Sequence, residues 1–131
     1  MEDMSASSET ILEGLDDAQM SAVTALDGPV RIIAGAGAGK TRTGTRRSAY
    51  ACARGDWDAR KVLAVTFSVK AAAEMRARLQ TLGVGDDVTA ATFHSAALQQ
   101  LRRVWDDIFA TPLPHVTSDQ RENVERATRR V

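Results

Sequence analysis

The run Ala34-Gly35-Ala36-Gly37-Ala38-Gly39-Lys40-Thr41 alternates small side chains with glycine and ends in a lysine and a hydroxyl. Such a run lets the main chain wrap tightly around phosphate oxygens, with successive backbone N–H groups aimed inward and a helix N-terminus behind them. In that chemistry Lys40 reaches the β- and γ-phosphates and the Thr41 hydroxyl ligates Mg2+. The strict pattern G-x-x-x-x-G-K-[ST] is not met, because Ala34 stands where it asks for glycine. The setting compensates: Val30-Arg31-Ile32-Ile33 precedes the loop as a β-branched run, and good helix formers follow it over 41–53, up to Gly55. The competing reading is a flexible Gly/Ala linker that happens to end in Gly-Lys-Thr, but linkers are seldom preceded by a buried-type strand.

Two further segments combine groups that suit phosphate or a nucleic acid. Thr66-Phe67-Ser68 with Lys70 joins hydroxyls, an aromatic ring, a predicted helix start and a cation. Phe67 could stack on a base, a contact any sequence supports. It could equally be a strand-end ring packed in the core, with Ser68 only capping a helix, and composition leaves both readings open. Thr92-Phe93-His94-Ser95 has the same character. His94 has no Asp or Glu within a few residues to orient it, so it reads as a cap or surface group rather than a base. Nucleotide hydrolysis also needs a carboxylate at the end of a second buried strand. Asp16-Asp17, Asp86-Asp87 and Asp106-Asp107 are the candidates, and none follows such a strand.

The elements that must hold these segments follow from the pattern. Residues 1–13 read as a frayed, disordered leader. Asp16 and Asp17 cap a short helix through Leu26 that Gly28-Pro29 ends. Strands are expected over 30–34, 61–67 and 88–93, and helices over 41–53, 69–82, 94–109 and 118–131, with a break at Pro112 and Pro114. Alternation of this kind gives an α/β fold with a parallel sheet and flanking helices, in which ligands gather at the carboxyl ends of the strands. At 131 residues there is room for one modest domain. The formal net charge of zero gives no bulk argument for nucleic-acid binding, which would need a local patch. One cysteine and two histidines exclude a disulfide framework and a zinc site. No stretch approaches the length of a membrane span and 1–10 does not resemble a secretory signal, so the expected location is cytoplasmic, without membrane partners.

With these residues in hand, the sequence resembles the N-terminal part of a UvrD/PcrA/Rep-type superfamily I DNA helicase. Four blocks carry the likeness in order: Leu15-Asp16-Asp17-Ala18-Gln19 with Ala22-Val23; 34–41 with Arg42; Val62-Leu63-Ala64-Val65-Thr66-Phe67-Ser68 with Lys70, Glu74 and Met75; and Thr92-Phe93-His94-Ser95. Alanine is common at the first loop position in that family. The resemblance implies a P-loop NTPase (RecA-like) fold, here incomplete, with ATP and Mg2+ as cofactors and DNA repair as a setting. It makes Gln19 the reader of the adenine edge, and Ala34, Gly35, Ala36, Gly37, Ala38, Gly39, Lys40, Thr41 and Arg42 the nucleotide loop. Lys40 and Thr41 then act catalytically, and Thr41 holds magnesium. Thr66, Phe67, Ser68, Lys70, Thr92, Phe93 and His94 face single-stranded DNA, or a duplex with a single-stranded tail. Ser68 stands where relatives often carry Thr, which keeps the hydroxyl.

Helicases of this type run to several hundred residues, so the resemblance makes 14–111 a partial ATP-binding domain and 112–131 the start of an inserted helical subdomain. Two functional readings are expected. One is the N-terminal piece of an ATP-dependent 3′ to 5′ DNA helicase, inactive as 131 residues alone. The other is a truncated, non-hydrolysing nucleotide- or DNA-binding remnant. A small P-loop kinase is weaker, since nothing resembles an acceptor site or an Arg-rich lid.

Overall fold

A computed structural model describes residues 8–37, 39–116 and 120–129. In chain order the helices are α1 (Ser8–Leu12), α2 (Asp17–Thr24), α3 (Lys40–Ala53), α4 (Val69–Thr81), α5 (Phe93–Ile108) and α6 (Gln120–Thr128). The strands are β1 (Leu63–Thr66) and β2 (Thr89–Thr92), which pair in parallel with Thr66 beside Thr92. α4 joins them as a β–α–β unit, so both strands end on the same sheet edge. Mixed helices and a parallel two-stranded sheet make this an α/β arrangement, consistent with the incomplete RecA-like fold that the resemblance implies.

Local chemistry sets the helix boundaries. Asp16 caps α2 in a reciprocal box with Gln19. Ser68 caps α4 by accepting from the Ala71 N–H at 3.1 Å. α3 has no continuous apolar stripe, and its buried face is Thr43, Thr45, Ala49, Tyr50 and Ala51. The two threonines tolerate burial because their hydroxyls donate back to Gly39 O and Thr41 O, each at 2.9 Å.

Two elements differ from expectation. Residues 8–12, read from the sequence as part of a disordered leader, form α1. So short a helix is marginal in water, but Ile11 is only 2% exposed in a cluster with Val23, Ala49 and Tyr50. Burying such a side chain contributes about 1.5–3 kcal/mol. The other difference is the strand expected over 30–34, which does not form: among the described residues the sheet has two strands. A β-branched run becomes a strand by packing and pairing with neighbours, and here it pairs with none, leaving Ile33 82% exposed.

A second cluster, Leu79, Val88 and Ala90, packs α4 against the sheet, and partly buried Val84 touches both clusters. Cys52 packs, partly buried, beside this second cluster, and burial, aided by Asp58 and Asp87, pushes its pKa up. The chain divides into two compact units, one running to Ala96 and one starting at Ala97. In the second, Trp105 and Phe109 stack at 4.2 Å and Trp105 Nε1 donates to Thr111 O at 2.7 Å. Leu101 and Ile108 of α5 are exposed. Among the described residues, no helix is long and apolar enough to cross a membrane.

Candidate phosphate-binding site

The glycine-rich loop delivers its last residues into the first turn of α3. Gly37 and Gly39 have φ of 77° and 76°, a region that L side chains rarely adopt, so the glycines are required by the backbone itself. Gly39 is the N-cap of α3 and provides no side chain to close the helix end, so the first turn keeps donors for an external acceptor. Gly35, by contrast, has no positive φ and open space around it. Ala38 lies outside the described residues.

Gly37, Gly39, Lys40, Thr41, Arg42 and Arg78 line a concavity of about 280 Å³. That lining holds three cations and no acid, beside the positive end of a 14-residue helix. Among the described residues the Lys40 ammonium, the Arg78 guanidinium and the Thr41 hydroxyl make no hydrogen bond or ion pair. This donor set fits a polyphosphate, and the Thr41 oxygen lines the same concavity. No cluster of three or more acidic, His or Cys groups suited to a metal occurs among the described residues.

Gln19 reaches this loop from α2. Its backbone N–H donates to Asp16 Oδ1 at 2.8 Å, and its Oε1 accepts from the Asp16 N–H at 3.2 Å. The amide is thereby oriented, and a Cβ placed on Gly39 would lie 3.1 Å from Gln19 Nε2. Gly39 therefore has a second reason to be glycine. Arg42 lines the concavity and also donates through Nη2 to Gly14 O at 2.9 Å.

The two strand-end segments lie side by side. Phe67 is 91% exposed and Phe93 46%, and their rings are 4.9 Å apart with planes 37° apart. Within this chain the Phe67 ring is therefore not packed into the core. Ser68 caps α4, as above, and Thr92 Oγ1 accepts from the Ser95 N–H at 3.2 Å and donates to Ser95 Oγ at 2.9 Å. Lys70 stands 4.0 Å from Glu74 on the exposed surface, a pair of little energetic weight. His94 is exposed, with no carboxylate paired to it among the described residues. A groove of about 290 Å³ runs from the loop's end to the first strand: Lys40, Thr41, Gly44, Thr45 and Ser48 on α3 face Ala64 and Val65 of β1 and Met75 and Leu79 of α4. Thr66 ends that strand and Phe67 follows it directly.

Arg78 was not legible as a site residue in the motifs. The available signal was helical spacing, since Arg78 lies three residues after Met75 and four before Leu82 and so shares their flank of α4.

The profile of the UvrD/REP helicase N-terminal domain matches residues 15–130. An ATP-dependent DNA helicase UvrD2 of Mycobacterium tuberculosis (strain ATCC 25618 / H37Rv) is 50% identical over 115 residues, covering 82% of this chain and 16% of the relative. The ATP-dependent DNA helicase PcrA of Bacillus subtilis (strain 168) is 46% identical over 103 residues, 77% of this chain and 14% of the relative. PcrA of Staphylococcus aureus (strain NCTC 8325 / PS 47) is 45% identical over 101 residues, with 75% and 14% covered. The chain belongs to the UvrD/REP helicase N-terminal domain family. It spans 14–16% of the length of these relatives.

Proposed function

We propose that this chain is the ATP-gripping, strand-contacting first part of an ATP-dependent DNA helicase that moves 3′ to 5′ on single-stranded DNA. The observation that carries the reading is the shared groove: Lys40 and Thr41 line it together with the strand that runs into Thr66 and Phe67. A nucleotide on the loop and a base on the Phe67–Phe93 pair would thus be linked through β1. In this reading the loop backbone, Lys40, Arg42 and Arg78 bind the phosphates of ATP, and Gln19 binds the adenine edge. Thr41 ligates the magnesium ion, which when bound neutralises phosphate charge. Thr66, Ser68, Lys70, Thr92 and His94 flank the aromatic pair and contact the DNA backbone.

The acid-free lining of the loop's concavity supports assigning to these residues the grip on ATP and not its cleavage. We assign residues 14–111 to a partial ATP-binding domain and 112–131 to the start of a helical insertion, in a cytoplasmic protein acting on single strands or tailed duplexes. The DNA half is tested with fluorescently labelled oligo(dT) by anisotropy. Base–aromatic stacking contributes about 1–3 kcal/mol, so Phe67→Ala is expected to weaken binding about 5- to 150-fold. Wild-type affinity in that variant would remove Phe67 from the DNA site.

A further inference from the structure

The segment that carries Gln19 is fastened to the phosphate-loop helix by arginines whose hydrogen bonds go to main-chain carbonyls. Arg46 Nη1 donates to Ile11 O at 2.6 Å and to Glu13 O at 2.7 Å. One turn earlier on α3, Arg42 Nη2 donates to Gly14 O. At the far end of α2, Arg47 donates to Ala25 O through Nε at 3.1 Å and Nη2 at 2.9 Å. α2 is therefore tied at both ends to the helix that begins with the phosphate loop.

We propose that Arg46 is a positioning residue for the nucleobase side of the site, holding the α1–α2 connection so that Gln19 meets the loop at the right place. The proposal rests on Gln19 reading the adenine edge. Arg46 is half-buried, and among the described residues its guanidinium donates to these two carbonyls and pairs with no acid, so its charge serves the connection. The geometry of the connection depends on it. Ile11 O belongs to the last turn of α1 and would otherwise be an orphan carbonyl. Gly14, at φ 69°, lets Arg42 approach to where a Cβ would be 3.1 Å from Nη2. Two residues after Gly14 comes Asp16, whose N–H fixes the Gln19 amide. Releasing the two carbonyls at 11 and 13 frees the segment just ahead of that cap, while the phosphate loop, held by Gly39 and α3, keeps its shape.

The test separates base from phosphate. In the full chain, calorimetry measures Mg-ATP, Mg-UTP and Mg-tripolyphosphate against wild type, Gln19→Ala, Arg46→Met and the double variant. Methionine keeps much of the arginine stem's packing and removes the donors. Arg46→Met is expected to weaken ATP about 5- to 20-fold and to shrink the ATP-over-UTP preference, with tripolyphosphate within about twofold of wild type. The double variant is expected to bind ATP no more weakly than Gln19→Ala, because both losses act through one contact. Arg46→Lys, which restores a donor, is expected to recover part of the preference, and it keeps the test open if Arg46→Met does not fold. A parallel fall in ATP and tripolyphosphate would reduce Arg46 to general scaffolding and overturn the proposal. An unchanged ATP-over-UTP ratio in Arg46→Met, with the ratio lost in Gln19→Ala, overturns it while leaving the Gln19 reading intact. An unchanged ratio in Gln19→Ala overturns both.

Discussion

Replacing Gly39 with alanine strains the site in two ways at once. The φ of 76° is a left-handed conformation that costs an L-residue roughly 1–2 kcal/mol. The new methyl would also sit 3.1 Å from Gln19 Nε2, and Gln19 gives way only by loosening its bond to Asp16, worth about 0.5–1.5 kcal/mol. Together these predict a loss of about 1.5–3.5 kcal/mol in the binding-competent loop, or about 10- to 400-fold in Mg-ATP affinity. Two other glycines serve as controls. Gly37→Ala has the backbone strain alone, since φ is 77° and nothing lies within 4 Å of a Cβ, which predicts a loss of about 5- to 30-fold. Gly28→Ala carries the same strain, with φ 73° and open space, away from the loop. It is expected to lower the melting temperature and leave ATP affinity unchanged. Calorimetric titration of the three variants, with thermal melts alongside, gives the order. Wild-type affinity in Gly39→Ala, or an equal loss in Gly28→Ala, would refute the reasoning.

Ile11→Ala removes the side chain that holds α1 in the first cluster, where it is 2% exposed. The expected loss is about 2–5 kcal/mol, read as a drop of about 4–8 °C in melting temperature per kcal/mol; a shift of under a degree would mean that α1 is not part of the folded unit. Cys52 is expected to react slowly with iodoacetamide at neutral pH, because burial raises its pKa and little thiolate forms. Its stabilising contribution is present below the pKa of an unfolded cysteine and is lost as pH rises through the raised folded value. Rapid alkylation at pH 7 would show that the thiol is not held in the core.

Much of this arrangement was legible in the residues because the boundaries are chemically written. Ser68 and Asp16 announce their helices by capping chemistry, and α4 starts at Val69 as expected. The parallel order of β1 and β2 followed from strand–helix–strand alternation. The strand at 30–34 misled for a physical reason: Val30, Ile32 and Ile33 carry β propensity, but pairing needs a neighbour that a local pattern does not supply. α1 was missed because its stability comes from contacts made 35 and 33 residues away, through Arg46 to Ile11 and Glu13. Arg78 was hidden for the same reason, since only the packing of α4 beside α3 brings it to the loop. The exposure of Phe67 was undecidable locally, because a strand-end phenylalanine has the same sequence signature whether it is covered or bare.

The central claim, that the loop at 34–41 grips the phosphates of ATP through Lys40, is tested most directly by Mg-ATP calorimetry on Lys40→Ala in the full chain. Lys40 lines the concavity with its ammonium unpaired among the described residues, so its removal should leave a folded protein, with an unchanged melt in the absence of nucleotide. The account predicts that measurable ATP binding disappears. Affinity equal to wild type, in a protein that melts normally, would contradict it.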